Sequence, residues 1–263
     1  MSFTHKYRDL GHLIMVNGFN KTDHKGETKM LPAQTMVIDD LERKRFPMNT
    51  LRFNPINAAI REYDALTKGI NDERLITEYK LDNIWGTWLK DNKLKVDYFK
   101  NWKESSDYII NKFNKDNYSR KLYHNQFTFD SGAALSCCWD SFQLLKIDNK
   151  LNIIFKLIST DYWLGLPADV ATASIILLNY CSVLGQNPGK IYLQFGDVHI
   201  YKKHWQNMNT FLNDEIKYDS PLFLLYNQTD MMSFKSEDLR LDIYQYNKRK
   251  YDNTLISSIE DNK

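Results

Sequence analysis

A thiolate is the most reactive nucleophile among ordinary side chains, so the cysteines are the first place to look for chemistry. The chain has three: Cys137 and Cys138 side by side, and Cys181 apart from them. That set makes neither a disulfide framework nor a metal-finger spacing, and it fits a reducing cytoplasm with room for a reactive thiol. The six histidines are scattered, with no pair at metal-ligand spacing on a helix face. His199 and Tyr201 lie two apart in a predicted strand and so share one face. Asp169, taken alone, stands where it would cap a helix beginning at Val170. Glu62 lies on a predicted helix, where such a residue ordinarily faces water. Arg120 and Lys121 form a basic pair suited to phosphate. The G-x-G-x-x-G, phosphate-loop, H-E-x-x-H and G-x-S-x-G signatures do not occur in a suitable context.

Between Cys138 and Tyr201 the spacing becomes specific. Cys138 precedes Gln143 by five residues. Ser159 and Asp161 form S-x-D, Gly165 and Pro167 lead to Asp169, and Gly196, Asp197, His199 and Tyr201 form G-D-x-H-x-Y. Motifs in this order, without a gap from Cys138 to Asp169, resemble the thymidylate synthase family. Weaker similarity precedes them. Asp116–Lys121 (D-N-Y-S-R-K) resembles the family's D-x-x-S-R-R phosphate loop. Tyr98 and Trp102 fit Y-G-x-x-W with Phe99 in place of the glycine, and Ile84, Trp85 and Trp88 fit I-W-x-x-W. Glu62 and Gly69 match the ends of E-L-L-W-F-x-x-G, and Asp23–Gly26 (D-H-K-G) stands where the family has D-R-T-G. The resemblance spans roughly residues 7–205.

This resemblance implies an α+β fold, a mixed sheet packed with helices, and a homodimer formed through the sheet. It implies a pyrimidine deoxynucleotide monophosphate as substrate and 5,10-methylenetetrahydrofolate as co-substrate. Cys138 would add to C6 of the pyrimidine, Glu62 would act as acid/base, and Asp169 would read the base edge. His199 and Tyr201 would hold the deoxyribose hydroxyl. Arg120, Lys121, Ser159 and Lys25 would serve the phosphate, with Arg120 and Lys121 reaching into the partner's site. Gln143 completes the substrate set, and Asp161, Trp85 and Gly165 form the cofactor set.

Five departures sharpen the expectation. Asp169 replaces the asparagine of thymidylate synthases, as in the phage deoxycytidylate hydroxymethylase branch. Trp139 replaces the histidine after the nucleophile. Ile158 replaces the arginine of R-S-x-D, and His24, beside Lys25, replaces that of D-R-T-G. The short apolar C-terminus that closes over folate is missing. The function expected is deoxycytidylate 5-hydroxymethyl transfer. The alternatives are a dUMP hydroxymethylase or thymidylate synthase, and a non-catalytic relative that binds nucleotide or a partner.

The elements that must position these residues are less regular. The chain has 263 residues, enough to bury a large core, and is read as a single domain, 1–263, with a loose tail after about residue 247. With 35 Lys/Arg against 33 Asp/Glu the net charge is only +2, so no nucleic-acid binding is expected. A hydrophobic content of 43% excludes a disordered chain. The longest apolar run, Ala173–Leu184, is broken by Ser174, Asn179 and Ser182 and reads as a buried helix, so no membrane span is expected. The N-terminus has no apolar stretch of a secretory signal. Helices are expected over 5–16, 55–68, 107–113 and 168–184, the last ended by Gly185 and Pro188-Gly189. Strands are expected over 33–39, 121–129, 142–147, 151–157 and 190–201, and residues 18–26 are expected to be a loop. Asp148-Asn149-Lys150 marks a hairpin. Helices and strands mix without regular alternation, which is the α+β pattern.

Overall fold

The computed structural model describes residues 1–23, 26–91, 93–94, 98–99, 101–126, 137–249 and 251. In chain order the elements are α1 (Phe3–Asn17), β1 (Phe19–Asp23), β2 (Gly26–Ile38), α2 (Ile56–Thr67), the single turns α3 (Arg74–Thr77) and α4 (Asp82–Trp85), and the short strands β3 (Leu89–Lys90) and β4 (Lys93–Leu94). There follow α5 (Trp102–Lys115), β5 (Leu122–Asn125), β6 (Trp139–Ile147), β7 (Lys150–Asp161), α6 (Gly165–Val183), β8 (Asn187–Tyr201), α7 (Trp205–Leu212), β9 (Phe223–Leu225) and β10 (Leu239–Leu241).

Six strands form one sheet in the order β1-β2-β8-β7-β6-β5. Every neighbouring pair is antiparallel except β7 and β8, which are parallel, so the sheet is mixed as expected. A parallel pair needs a crossover, and α6 supplies it. Its sequence is apolar on nearly every side, and Val170, Ala173, Ile176, Leu177 and Tyr180 are all buried. The helix is long and apolar enough to cross a membrane, but 67% of its most apolar stretch is buried inside the protein. The antiparallel strands β6 and β7 meet through the hairpin at Asp148 and Asn149, whose φ values of 50° and 59° are those of a type I′ turn.

The two central strands change phase at the same level. In β7, Leu151, Ile153, Phe155 and Leu157 face the core, and then Thr160 does. In β8, Ile191, Leu193 and Phe195 face it, and then Val198 and Ile200 do. Ser159, Asp161, Asp197, His199 and Tyr201 are therefore left only partly buried. The close approach at this level needs Gly196, since a Cβ there would lie 2.6 Å from the carbonyl oxygen of Ile158.

Some expectations are corrected. Residues 19–23 form β1 rather than a loop. It is an edge strand with Phe19, Asn20, Lys21 and Thr22 all exposed, so it carries no apolar alternation to read. Gly185, at φ 62°, ends α6, but Pro188 and Gly189 lie in β8, near its start where proline is tolerated. Asp169 lies within α6, which begins at Gly165, so it caps no helix start. His24 and Lys25 fall outside the described residues, as do positions 127–129 of the expected strand and the tail beyond 251.

The N-terminal helix is fastened to the end of β7 by a reciprocal pair. Tyr7 Oη donates to the Tyr162 carbonyl at 2.6 Å, and Tyr162 Oη donates to the Tyr7 carbonyl at 2.7 Å. The rings stack 4.2 Å apart. Gly11 makes room for this, because a Cβ there would fall 2.3 Å from Tyr162 Oη. Gly→Ala inside a helix ordinarily stabilises by up to about 1 kcal/mol. Here Gly11→Ala is expected to destabilise by about 1–3 kcal/mol through overpacking, measured by urea unfolding. A gain in stability would show that the tyrosine pair does not constrain the helix.

Candidate active site

Cys138 sits at the head of β6, half-buried, and none of the three cysteines is in a disulfide. Its backbone is held on both sides. Its N–H donates to Tyr98 Oη at 3.2 Å, and its carbonyl accepts the Ile158 N–H at 2.8 Å. Cys181 is different: it lies inside α6, where burial pushes its thiol far up and keeps it unreactive. The Tyr98 phenol is also pushed well above its ordinary value, by burial first and then by the nearby Cys138, Cys137 and Asp169. Behind Cys138, Trp139 is buried among Phe155 at 5.1 Å, Phe99 at 5.4 Å and His124 at 5.9 Å.

Two carboxyls from different helices belong to the same neighbourhood: Asp169 acts on Tyr98, and Glu62 feels Asp169. Glu62, on α2, is raised to about 7, mainly by desolvation and further by the charge of Asp169. Asp169, on α6, is also raised to about 7, by burial and by Asp161, against a hydrogen bond from Thr160. That bond runs from Thr160 Oγ1 to Asp169 Oδ2. Near neutrality, then, both groups lie between acid and base, which suits them to proton transfer.

A third group sits where β7 and β8 end. Asp161 Oδ1 accepts the Trp163 N–H at 2.8 Å and so shapes the turn into α6. Burial raises its carboxyl, opposed by His199, the turn's N–H groups and Arg52. Asp161 pairs in register with His199, and Ser159 with Asp197. His199 Nδ1 lies 2.7 Å from Asp197 Oδ1, which fixes the ring's orientation. The Tyr201 ring meets His199 edge-on at 5.1 Å. A hydrogen bond thus joins Cys138 to Tyr98, and electrostatic influence links Tyr98 with Asp169, Asp169 with Glu62 and Asp161, and Asp161 with His199. The thymidylate synthase family model matches residues 5–254.

The chain belongs to the thymidylate synthase family. Its fold is also similar to the thermostable thymidylate synthase A from Bacillus subtilis, with a TM-score of 0.81 and 19% identity. The match covers 95% of this chain and 98% of that one. Thymidylate synthase family members transfer a one-carbon unit to a pyrimidine nucleotide, with methylenetetrahydrofolate as co-substrate.

The residues present fit that co-substrate. Trp85 is 5% exposed, and its indole N–H favours the charged form of Glu62, yet it closes no hydrogen bond of ordinary geometry. A buried donor left open beside a titrating carboxyl suits a polar heterocycle such as a pterin. Gly165 adds no side chain beside Asp161 and Asp169. Among the described residues no cluster of His, Cys, Asp and Glu is arranged for a metal.

Other expected residues stand apart in the single chain. Arg120 and Lys121 are exposed on the turn between α5 and β5. Gln143 Nε2 donates to the Arg120 carbonyl at 2.7 Å, so within the chain it braces that turn. Ile158 is 38% exposed and brings no charge to the position where the family has arginine. Lys25 lies outside the described residues. Two participants escaped the sequence reading. Thr160 occupies the variable position of S-x-D. Arg52 is buried with its guanidinium 4.3 Å from the Trp163 ring, a contact no spacing announces.

Because Glu62 is raised, the folded protein holds a proton that the unfolded chain has released between about pH 4 and 7. Stability therefore falls as pH rises through that window. Glu62→Gln is expected to match the native protein near about pH 4 and to be more stable than it at about pH 8. Urea unfolding at both pH values checks this, and equal stability at the higher pH would mean that Glu62 is well solvated.

Proposed function

We propose that this member of the family is a deoxycytidylate 5-hydroxymethyltransferase. The observation that carries the reading is the Asp169 carboxyl, raised to about 7 and held by Thr160 within reach of the Cys138–Tyr98 pair. Cytosine presents N3 as an acceptor and its N4 amino group as a donor. A carboxyl sharing one proton with N3 donates to it and accepts from N4. An asparagine amide offers uracil one donor and one acceptor in the same way, so the exchange of Asn for Asp is a change of base.

In this mechanism Cys138 forms the S–C6 bond, which makes C5 nucleophilic. Methylenetetrahydrofolate supplies the one-carbon unit when bound, and Trp85 and Asp161 are the residues that would hold it. Loss of the C5 proton would then expel the folate carrier by breaking its C–N bond to the transferred carbon, leaving an exocyclic methylene on the ring. Glu62 orients a water toward the new exocyclic carbon and takes its proton, a role matched by its value near 7. Release of Cys138 then leaves the 5-hydroxymethyl product. His199, oriented by Asp197, and Tyr201 hold the deoxyribose hydroxyl. Ser159 serves the phosphate, together with Arg120 and Lys121 from a second subunit docked on the sheet. Their exposure on the α5–β5 turn leaves them available for that.

A second reading, thymidylate synthesis from dUMP, is favoured by the likeness to the Bacillus subtilis enzyme. Trp139 and Asp169 weigh against it. Release of tritium from C5 of labelled dCMP and dUMP, with methylenetetrahydrofolate present, separates the two. Release from dCMP is expected, with loss of at least about a thousandfold in Cys138→Ala, because the nucleophile is absent. Release from dUMP alone would replace this proposal with the second reading. Release from neither would leave a nucleotide-binding relative. Asp169→Asn is expected to move the preference toward dUMP, read in the same assay.

A further inference from the structure

A carboxylic acid by itself does not choose between cytosine and uracil. Each base edge asks for one donor and one acceptor, in interchanged positions. An acid whose proton can sit on either oxygen satisfies both edges by moving that proton. Selectivity therefore needs something that makes the two oxygens of Asp169 different.

The structure supplies such a group. Thr160 is 1% exposed, and its hydroxyl donates to Asp169 Oδ2. It lies on β7 just beyond the phase change, so its side chain turns inward while Ser159 and Asp161 remain partly exposed. As a β-branched residue in a strand it has few rotamers, which fixes the direction of its hydroxyl. Gly165 keeps the space clear. A Cβ there would lie 3.3 Å from Thr160 Oγ1, tighter than ordinary packing, and 3.8 Å from Asp169 Oδ2, in ordinary contact.

We infer that Thr160 sets the base preference of Asp169 by holding Oδ2 as an acceptor, so that the proton resides on Oδ1. This rests on the reading of Asp169 as the group that meets the pyrimidine edge. Thr160 itself is buried behind Asp169, so it is a positioning residue. With Oδ2 fixed, the carboxyl presents one order of donor and acceptor and fits one base. The alternative base leaves a buried polar pair mismatched, which is the strong form of discrimination. The groups facing Asp169 are Glu62 from α2, Asp161 from β7, and Tyr98, and all remain when Thr160 is changed.

The test measures dCMP and dUMP dissociation constants by calorimetry, without folate, for the native dimer or monomer as purified and for Thr160→Val and Thr160→Ser. Valine keeps the shape and loses the donor, whereas serine keeps the donor. The native protein is expected to prefer dCMP. Thr160→Val is expected to shrink the dCMP-to-dUMP ratio by about tenfold or more, and Thr160→Ser to preserve it. A donated bond stabilises the carboxylate, so its loss in Thr160→Val raises the pH at which dCMP affinity declines. Thr160→Ala takes the place of valine if the valine variant does not fold.

An unchanged ratio in folded Thr160→Val, or an equal loss in Thr160→Ser, overturns the role of Thr160 and leaves the proposed function standing. A native preference for dUMP that collapses only in Thr160→Val overturns the proposed function and sustains Thr160. A native preference for dUMP that Thr160→Val does not disturb, or binding of neither nucleotide, overturns both.

Discussion

The site depends on one backbone constraint, the simultaneous change of phase in β7 and β8. Up to Leu157 and Phe195 the odd-numbered side chains of both strands are packed under α6. Had that alternation continued, Ser159, Asp161, Asp197, His199 and Tyr201 would also point into the apolar interior, where unpaired polar groups are costly. The switch turns them out of it together, in register across a parallel pair. Gly196 belongs to the G-D-x-H-x-Y motif for this reason: the strands approach too closely there for a side chain.

The electrostatic character of the site follows from what it lacks within one chain. Three carboxyls, Glu62, Asp161 and Asp169, are drawn together and desolvated, and burial raises each of them. Arg52 acts on this group from beside Trp163, its guanidinium over that ring and its Nη2 donating to the Trp163 carbonyl, so it moderates Asp161 without forming a close ion pair among those described. A site balanced in this way holds protons at neutrality. Such a balance is unfavourable for stability and useful for chemistry that must both donate and accept them.

What was legible in the sequence was whatever a fixed spacing carries. Cys138 to Asp169 runs without insertion because β6, the hairpin, β7 and the first turns of α6 are continuous in space, so chain distance reports site geometry. The long elements were legible through their apolar pattern, as for α6 and β8. The edge strand β1 was not, because both of its faces meet water. Thr160 was hidden by standing at a position that the motif leaves open, although its side chain is the one in S-x-D that touches Asp169. Tyr98 matched a motif, but its bond to the Cys138 N–H crosses a gap of 40 positions that no local rule spans.

The Tyr7–Tyr162 clasp has a consequence for the order in which the molecule is made. Its two hydrogen bonds join positions 155 apart. A closure that long is entropically costly and forms only after the intervening chain is available. The first helix to leave the ribosome has β2 to pack on early, but its clasp must wait until β7 and Tyr162 have been synthesised. The clasp ties that early helix to Tyr162, the residue that follows Asp161. The end of the sheet that carries Asp161 thus gains its tie to the N-terminal helix late, and an N-terminally shortened chain would keep the hairpin of β6 and β7 while losing that tie.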